Sequence, residues 1–175
     1  PFLNGTRDSP MDFGLDLWGP NINMLRDGRW GRGQETYGED PHLTGVLARA
    51  FVAGLQATRP GLGGQPAPVL AALATPKHFD AYSVDEEPPR LSFLPTISEQ
   101  HLRDYYFPAF AALATADPAS GERPGSFMCS YNGIRTSRNF TDGAAAAPMC
   151  QSPLLREELR GRWGWEGYVV TDSGA

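Results

Sequence analysis

Asp40-Pro41-His42-Leu43-Thr44-Gly45-Val46-Leu47-Ala48-Arg49-Ala50-Phe51-Val52-Ala53-Gly54-Leu55, followed after a Gly- and Pro-rich stretch by Val69-Leu70-Ala71-Ala72-Leu73-Ala74-Thr75, is the passage from which the fold class is read. Asp40 can cap a helix with its side chain, and Pro41 suits the first helical position, where no N–H is needed. Leu43, Val46, Leu47, Ala50, Phe51 and Leu55 then recur at helical spacing and predict one apolar stripe turned to a core. The stretch Pro60 to Pro68 ends that helix as a loop. Val69 to Thr75 is too short for a free helix and stops at Pro76, so it predicts a buried strand.

Working outward, the same alternation continues. Asp80 to Pro95 is acidic and proline-rich and reads as a surface loop. Ser98 caps a second helix with Leu102, Tyr105, Tyr106, Ala109, Phe110 and Leu113 on one face, and Pro108 should kink or split it. Ser126 to Tyr131 predicts a strand, and Thr136 to Pro148, with its alanine run, a loop insertion. Ser152-Pro153 opens a third helix through Arg160 that Gly161 and Gly164 close, and Tyr168-Val169-Val170 predicts a last strand. Helices and strands in this order predict an α/β layout of parallel strands.

Composition narrows the function classes. The 175 residues carry 15 Lys and Arg against 20 Asp and Glu, a net charge of −5, with 41% hydrophobic content. That is enough apolar matter for a core, and the charge argues against nucleic-acid or anionic-membrane partners, which need clustered cations. No apolar run approaches a membrane span. Two cysteines exclude a disulfide scaffold and a four-cysteine zinc site. Whether Cys129 and Cys150 pair is open from the residues alone. Asn4-Gly5-Thr6 and Asn139-Phe140-Thr141 are glycosylation sequons, as a protein of the secretory pathway would carry. The chain opens without Met and stops at Thr171-Asp172-Ser173-Gly174-Ala175, so a piece of a longer protein is expected.

Polar residues gather just past the expected strand ends: Trp18 to Arg32, then Lys77-His78, then Tyr131-Asn132, then Asp172. In parallel α/β sheets and barrels the carboxyl ends of strands are where ligands bind. Each residue has a plainer reading. Asp172 is a possible turn cap, His78 a structural histidine, Arg26, Arg29 and Arg32 a solvated face, and Trp18 and Trp30 core. The coincidence of four clusters at four strand ends favours a site.

Pro20-Asn21-Ile22-Asn23-Met24-Leu25-Arg26-Asp27-Gly28-Arg29-Trp30-Gly31-Arg32-Gly33-Gln34-Glu35-Thr36-Tyr37-Gly38-Glu39-Asp40-Pro41 resembles the signature block of glycoside hydrolase family 3. Lys77-His78-Phe79, Met128-Cys129-Ser130-Tyr131-Asn132 and Gly167-Tyr168-Val169-Val170-Thr171-Asp172 are similar to its next three blocks, in the same order. The spelling Gly-Arg-Gly-Gln-Glu over residues 31–35 resembles the β-xylosidase and α-L-arabinofuranosidase branch. The resemblance implies that residues 1–175 are an incomplete (β/α)8 TIM-type barrel, with a second α/β sandwich domain downstream. It implies a secreted, retaining exo-glycosidase of xylan catabolism that removes terminal β-D-xylosyl residues from oligosaccharides. The alternatives on this scaffold are a β-glucosidase, an α-L-arabinofuranosidase or a non-catalytic sugar-binding relative.

Carried over by position, the resemblance implies that Asp172 is the nucleophile and that Arg32, Lys77, His78 and Tyr131 hold the sugar. It places Arg90 as a further sugar contact and Trp18 as an aromatic pocket wall. It implies no metal and no cofactor. The acid/base Glu is expected beyond residue 175. Cations such as Lys77 and Arg32 are expected to keep Asp172 ionised, because an opposite charge lowers a carboxyl pKa. Two departures stand out: Gly28 where the family usually has Pro, and an insertion within residues 133–150.

Overall fold

The computed structural model describes residues 14–59, 69–84, 89–136 and 148–174. The two sequons and most of the 133–150 insertion lie outside the described residues. The elements run in the order β1 (Asp16–Leu17), α1 (Pro41–Leu55), β2 (Thr58–Arg59), β3 (Val69–Leu70), β4 (Leu73–Ala74), α2 (Glu99–His101), α3 (Phe107–Ala114), β5 (Ser126–Cys129) and β6 (Tyr168–Thr171).

Parallel pairing dominates. β1 pairs with β4, placing Asp16 opposite Leu73, and β5 pairs with β6 from Ser126–Tyr168 to Cys129–Thr171. Single parallel bridges, Asn21 to Lys77 and Phe79 to Cys129, join these pairs through the segment after β4. Four parallel segments therefore lie side by side in chain order, with helical connections between them. This is the α/β arrangement that the alternation predicts.

One expected strand is really two. Val69–Leu70 pairs antiparallel with Thr58–Arg59, while Leu73–Ala74 pairs parallel with β1. The first half of the apolar run therefore belongs to an antiparallel pair with β2. Only its second half enters the parallel array.

The start of α1 follows the sequence: Asp40 Oδ1 accepts from the His42 and Leu43 N–H groups at 2.7 and 2.9 Å. Its buried face corrects the prediction. Thr44, Gly45, Ala48 and Val52 are buried, whereas Leu43, Val46, Leu47 and Phe51 are exposed by 48, 50, 39 and 44%. Close approach of α1 to α3 selects the small residues: a Cβ on Gly45 would lie 3.2 Å from Ala112 Cβ. A helix carrying bulky side chains on that face could not seat as closely.

The second helix runs without a break from Glu99 to Ala114 and meets Pro108 with one wide turn. Between α2 and α3 one wide turn, Leu102–Tyr106, is closed by Phe107 N–H donating to Leu102 O. Pro108, which has no N–H to offer, sits in the first turn of α3. Leu102, Tyr106, Ala109, Phe110 and Leu113 are buried on the predicted face. The third helix runs as a wide-turn helix over Leu155–Arg162, two residues beyond the predicted end. Its Glu158, 3% exposed, is paired with Arg103 at 3.1 Å and Arg162 at 2.9 Å.

The core lies between helices and sheet. Phe79 packs edge-on against Phe110 at 5.2 Å, and Phe127 meets Trp165 at 4.7 Å. Cys129, at the end of β5, is disulfide-bonded to Cys150 with Cα atoms 5.1 Å apart. The bond ties the segment after the insertion to the strand that leads into Tyr131.

Candidate active site

The carboxyl ends of the parallel segments bring the predicted side chains together. Asp172 follows β6, and its Oδ2 lies 3.3 Å from Nε2 of His78, whose ring is fully buried. Asp172 Oδ1 accepts from the Ser173 N–H at 2.7 Å. Tyr131, after β5, donates its hydroxyl to Ser173 O at 2.9 Å and so borders the same carboxylate. The Arg90 guanidinium lies 4.3 Å above the Tyr131 ring. Lys77, partly buried, is anchored by its backbone: its N–H donates to Pro20 O at 2.9 Å and its carbonyl accepts from Ile22 N–H at 2.7 Å.

Arg32 enters from the loop between β1 and α1. Glu35 grips it through two bonds of 2.9 Å, and Asn21 donates to the same carboxylate at 3.3 Å. The guanidinium also lies 5.6 Å from the Tyr82 ring. Tyr82 is the buried hub of the floor, packing edge-on to His78 at 4.9 Å and Trp30 at 5.7 Å, and meeting Tyr131 at 5.9 Å. Trp18, after β1, is 38% exposed and takes part in no ring contact among the described residues.

The electrostatics are those of an ionised carboxylate in a half-enclosed polar pocket. Burial works to raise the Asp172 pKa, but the His78 ring and the Ser173 N–H outweigh it and hold the carboxyl at about 2. The expected agents are not the largest: burial, the His78 ring and the Ser173 N–H act most on Asp172, while Lys77 and Asp172 also attract one another. Burial pushes His78 down to about 4, opposed by Asp172. Lys77 is lowered by burial and then by Arg32. Burial works to lower Arg32, but the pairing with Glu35 raises it overall, and Arg32 in turn lowers Glu35. Burial raises the Tyr131 phenol.

Three residues complete the arrangement without having been predicted: the buried Asn23 and Tyr82, and the exposed Glu35. Asn23 brackets His78, donating from Nδ2 to its carbonyl at 2.8 Å and accepting at Oδ1 from its N–H at 2.9 Å. Glu35 was visible as a carboxylate three residues after Arg32. Tyr82, four residues after His78, and Asn23 gave no sign of their partners. Chemically, the site offers one ionised carboxylate ringed by donors that can match hydroxyls, above an aromatic floor.

Comparison with known proteins gives one consistent answer. The sequence profile described as Glycosyl hydrolase family 3 N terminal domain matches residues 6–175. Beta-D-xylosidase 3 of Arabidopsis thaliana is 40% identical over 162 residues, covering 91% of this chain and 18% of that protein. The probable exo-1,4-beta-xylosidase bxlB of Aspergillus terreus is 40% identical over 168 residues, covering 93% of this chain and 19% of its own length. Among solved structures, a GH3 exo-beta-xylosidase (XlnD) complexed with a xylobiose aziridine probe superposes with a TM-score of 0.74 at 34% identity. That match covers 92% of this chain and 19% of XlnD. Beta-glucosidase 3B from Thermotoga neapolitana superposes with a TM-score of 0.69 at 30% identity, covering 90% of this chain and 18% of that one. The chain thus spans about a fifth of the length of these relatives.

Proposed function

We infer the function from one premise: this chain belongs to glycosyl hydrolase family 3. The observation that carries the reading is Asp172, an ionised carboxylate held against buried His78 at 3.3 Å and bordered by Tyr131 at the strand ends. We propose that it is part of a retaining exo-glycosidase that removes terminal β-D-xylosyl residues from oligosaccharides. The four parallel segments are the first part of a (β/α)8-type barrel in this reading, and a second α/β sandwich domain follows it. The xylosidase names and the 40% identity of the Arabidopsis and Aspergillus relatives support the sugar.

In the first step an Asp172 oxygen attacks the anomeric carbon, forming a glycosyl ester. The bond to the leaving oxygen breaks, and an acid protonates that oxygen. In the second step water, deprotonated by the same acid/base residue, displaces the sugar and regenerates Asp172. Retention places the two carboxyls about 5–5.5 Å apart, and the second belongs to a Glu beyond residue 175. Lys77, His78, Arg32 with its Glu35 clamp, and Arg90 over Tyr131 bind sugar hydroxyls, and the exposed Trp18 supplies a pocket wall. Bonds that tighten as the ring flattens contribute to rate as well as affinity. No cofactor is invoked. The disulfide fits an oxidising compartment, which supports an extracellular or secretory location. No helix among the described residues is long and apolar enough to cross a membrane.

The test is to treat the full-length protein with a 2-fluoro-xyloside and locate the adduct by mass spectrometry. A label on Asp172 is expected; a label on another carboxylate refutes the assignment. Similarity to the Thermotoga β-glucosidase makes a β-glucoside the natural rival substrate. Higher kcat/KM on aryl β-glucoside than on aryl β-xyloside would replace the xylosidase reading.

A further inference from the structure

Asn23, 2% exposed, meets His78 at three atoms. Its Oδ1 accepts from the His78 backbone N–H at 2.9 Å and stands 2.9 Å from the ring Nδ1, while its Nδ2 donates to the His78 carbonyl at 2.8 Å. The two backbone bonds fix which end of the amide is oxygen, since an N–H only donates and a carbonyl only accepts. An amide oxygen facing Nδ1 is an acceptor, so Nδ1 must carry the ring proton. Nε2 of the neutral ring is then a bare lone pair. It faces Asp172 Oδ2 at 3.3 Å, acceptor against acceptor, and has no hydrogen-bond partner among the described residues.

We propose that Asn23 is a positioning residue that holds His78 in its Nδ1–H form, so that Nε2 accepts a hydrogen bond from a substrate hydroxyl beside Asp172 instead of donating one. The proposal rests on the reading of this pocket as a sugar site with Asp172 as nucleophile. A neutral His78 leaves both the Asp172 oxygen and its own lone pair open to the sugar. A doubly protonated His78 does the opposite: Nε2–H bonds Asp172 Oδ2, and the lone pair for the hydroxyl is gone. Protonation and substrate therefore compete at one nitrogen. Asp172 favours the second proton, whereas burial, Arg32 and Lys77 oppose it. Tyr82 covers the ring edge-on at 4.9 Å, and Asn23 closes its rear.

The direct test needs no turnover. In full-length protein labelled with 15N-histidine, side-chain nitrogen–proton correlations distinguish the two ring forms, with the signal that disappears in His78→Gln assigned to His78. Near neutral pH, His78 is expected to show a protonated Nδ1 and a bare Nε2. A proton on Nε2, alone or together with Nδ1, overturns the proposal. The kinetic test uses Asn23→Asp in the full-length enzyme. A carboxylate at Nδ1 favours the second ring proton, so the acid limb of kcat/KM should move up by about one pH unit or more. An unmoved limb in a folded variant overturns the proposal, since a merely structural Asn23 would lower the folded fraction and leave the limb in place. Failure of the unmodified enzyme to cleave any glycoside would sink the proposed function, and the ring form would still decide the role of Asn23.

Discussion

Replacing Asp80 by Asn removes a carboxyl that folding has to neutralise. Asp80 is 1% exposed, its Oδ1 accepts from the Ala81 N–H, and its Oδ2 has no hydrogen-bond partner among the described residues. Burial raises its pKa from 3.8 to about 7, with the Ala81 N–H opposing. The sign follows from proton linkage. The unfolded chain releases the proton near the ordinary value and the native chain only near 7. Stability is therefore lost as pH rises through that window, and the loss is complete above it. About three pKa units at about 1.4 kcal/mol each make the total about 4 kcal/mol. The amide is neutral at every pH and keeps an acceptor for Ala81, so it abolishes this slope. Urea unfolding of both proteins from about pH 4 to about pH 8 isolates the effect as a difference of differences. Asp80→Asn should gain on the parent steadily across that range, by several kcal/mol in all. Parallel stability curves would refute the reasoning and mean that water or a rearranged loop solvates the carboxylate.

Asp172→Asn should cost several powers of ten in turnover of aryl β-xyloside by the full-length protein, with a cooperative melt at a modestly lowered melting temperature near neutral pH, since the fold favours the ionised carboxyl; near-normal rates would remove Asp172 from the chemistry. Glu35→Gln should loosen Arg32 and raise KM more than it lowers kcat, and steady-state kinetics showing a pure kcat effect would argue against a binding role for Arg32. Val52→Ala should destabilise by about 1–2 kcal/mol, whereas Phe51→Ser should stay within about 0.5 kcal/mol; the reverse order in urea unfolding would turn α1 around. Cys129→Ser with Cys150→Ser should cost about 3 kcal/mol for the loop the bond closes, and an unchanged unfolding midpoint under non-reducing conditions would count against the bond.

The sequence revealed strand ends better than helix faces. A strand's end is marked by where apolar residues stop and polar ones begin, so Lys77-His78, Tyr131 and Asp172 could be placed at the edge of the array before any pairing was known. The face of α1 was ambiguous because two stripes share its period. The bulky one, Leu43, Val46, Leu47 and Phe51, carries the stronger apolar signal. The small one, Gly45, Ala48 and Val52, wins because it lets α3 approach. Periodicity reports spacing and is silent on which side another helix can come close. The antiparallel pair of β2 and β3 was hidden for a related reason: a continuous apolar run shows no seam where its pairing changes partner.

The same division separates the site residues that were legible from those that were not. Arg32, His78 and Asp172 belong to types that meet a substrate directly, so their chemistry shows in a linear reading. Asn23 acts on a residue 55 positions away, and nothing in either neighbourhood betrays the pairing. The expectation about the nucleophile's ionisation held, but the main agents were missed. Counting cations near Asp172 in sequence credits Arg32 and Lys77, yet Arg32 is paired with Glu35, and burial and Arg32 lower the Lys77 pKa while Asp172 opposes them. The low pKa of Asp172 rests mainly on directed contacts, the Ser173 N–H at 2.7 Å and the His78 ring at 3.3 Å. A backbone N–H does not titrate, so its share survives when His78 is neutral. The Ser173 N–H therefore still favours the ionised Asp172 in the pH range in which Nε2 is bare, although the larger His78 contribution is then absent. Nucleophile and acceptor can then be ready at the same pH, which a site relying on a protonated His78 could not arrange.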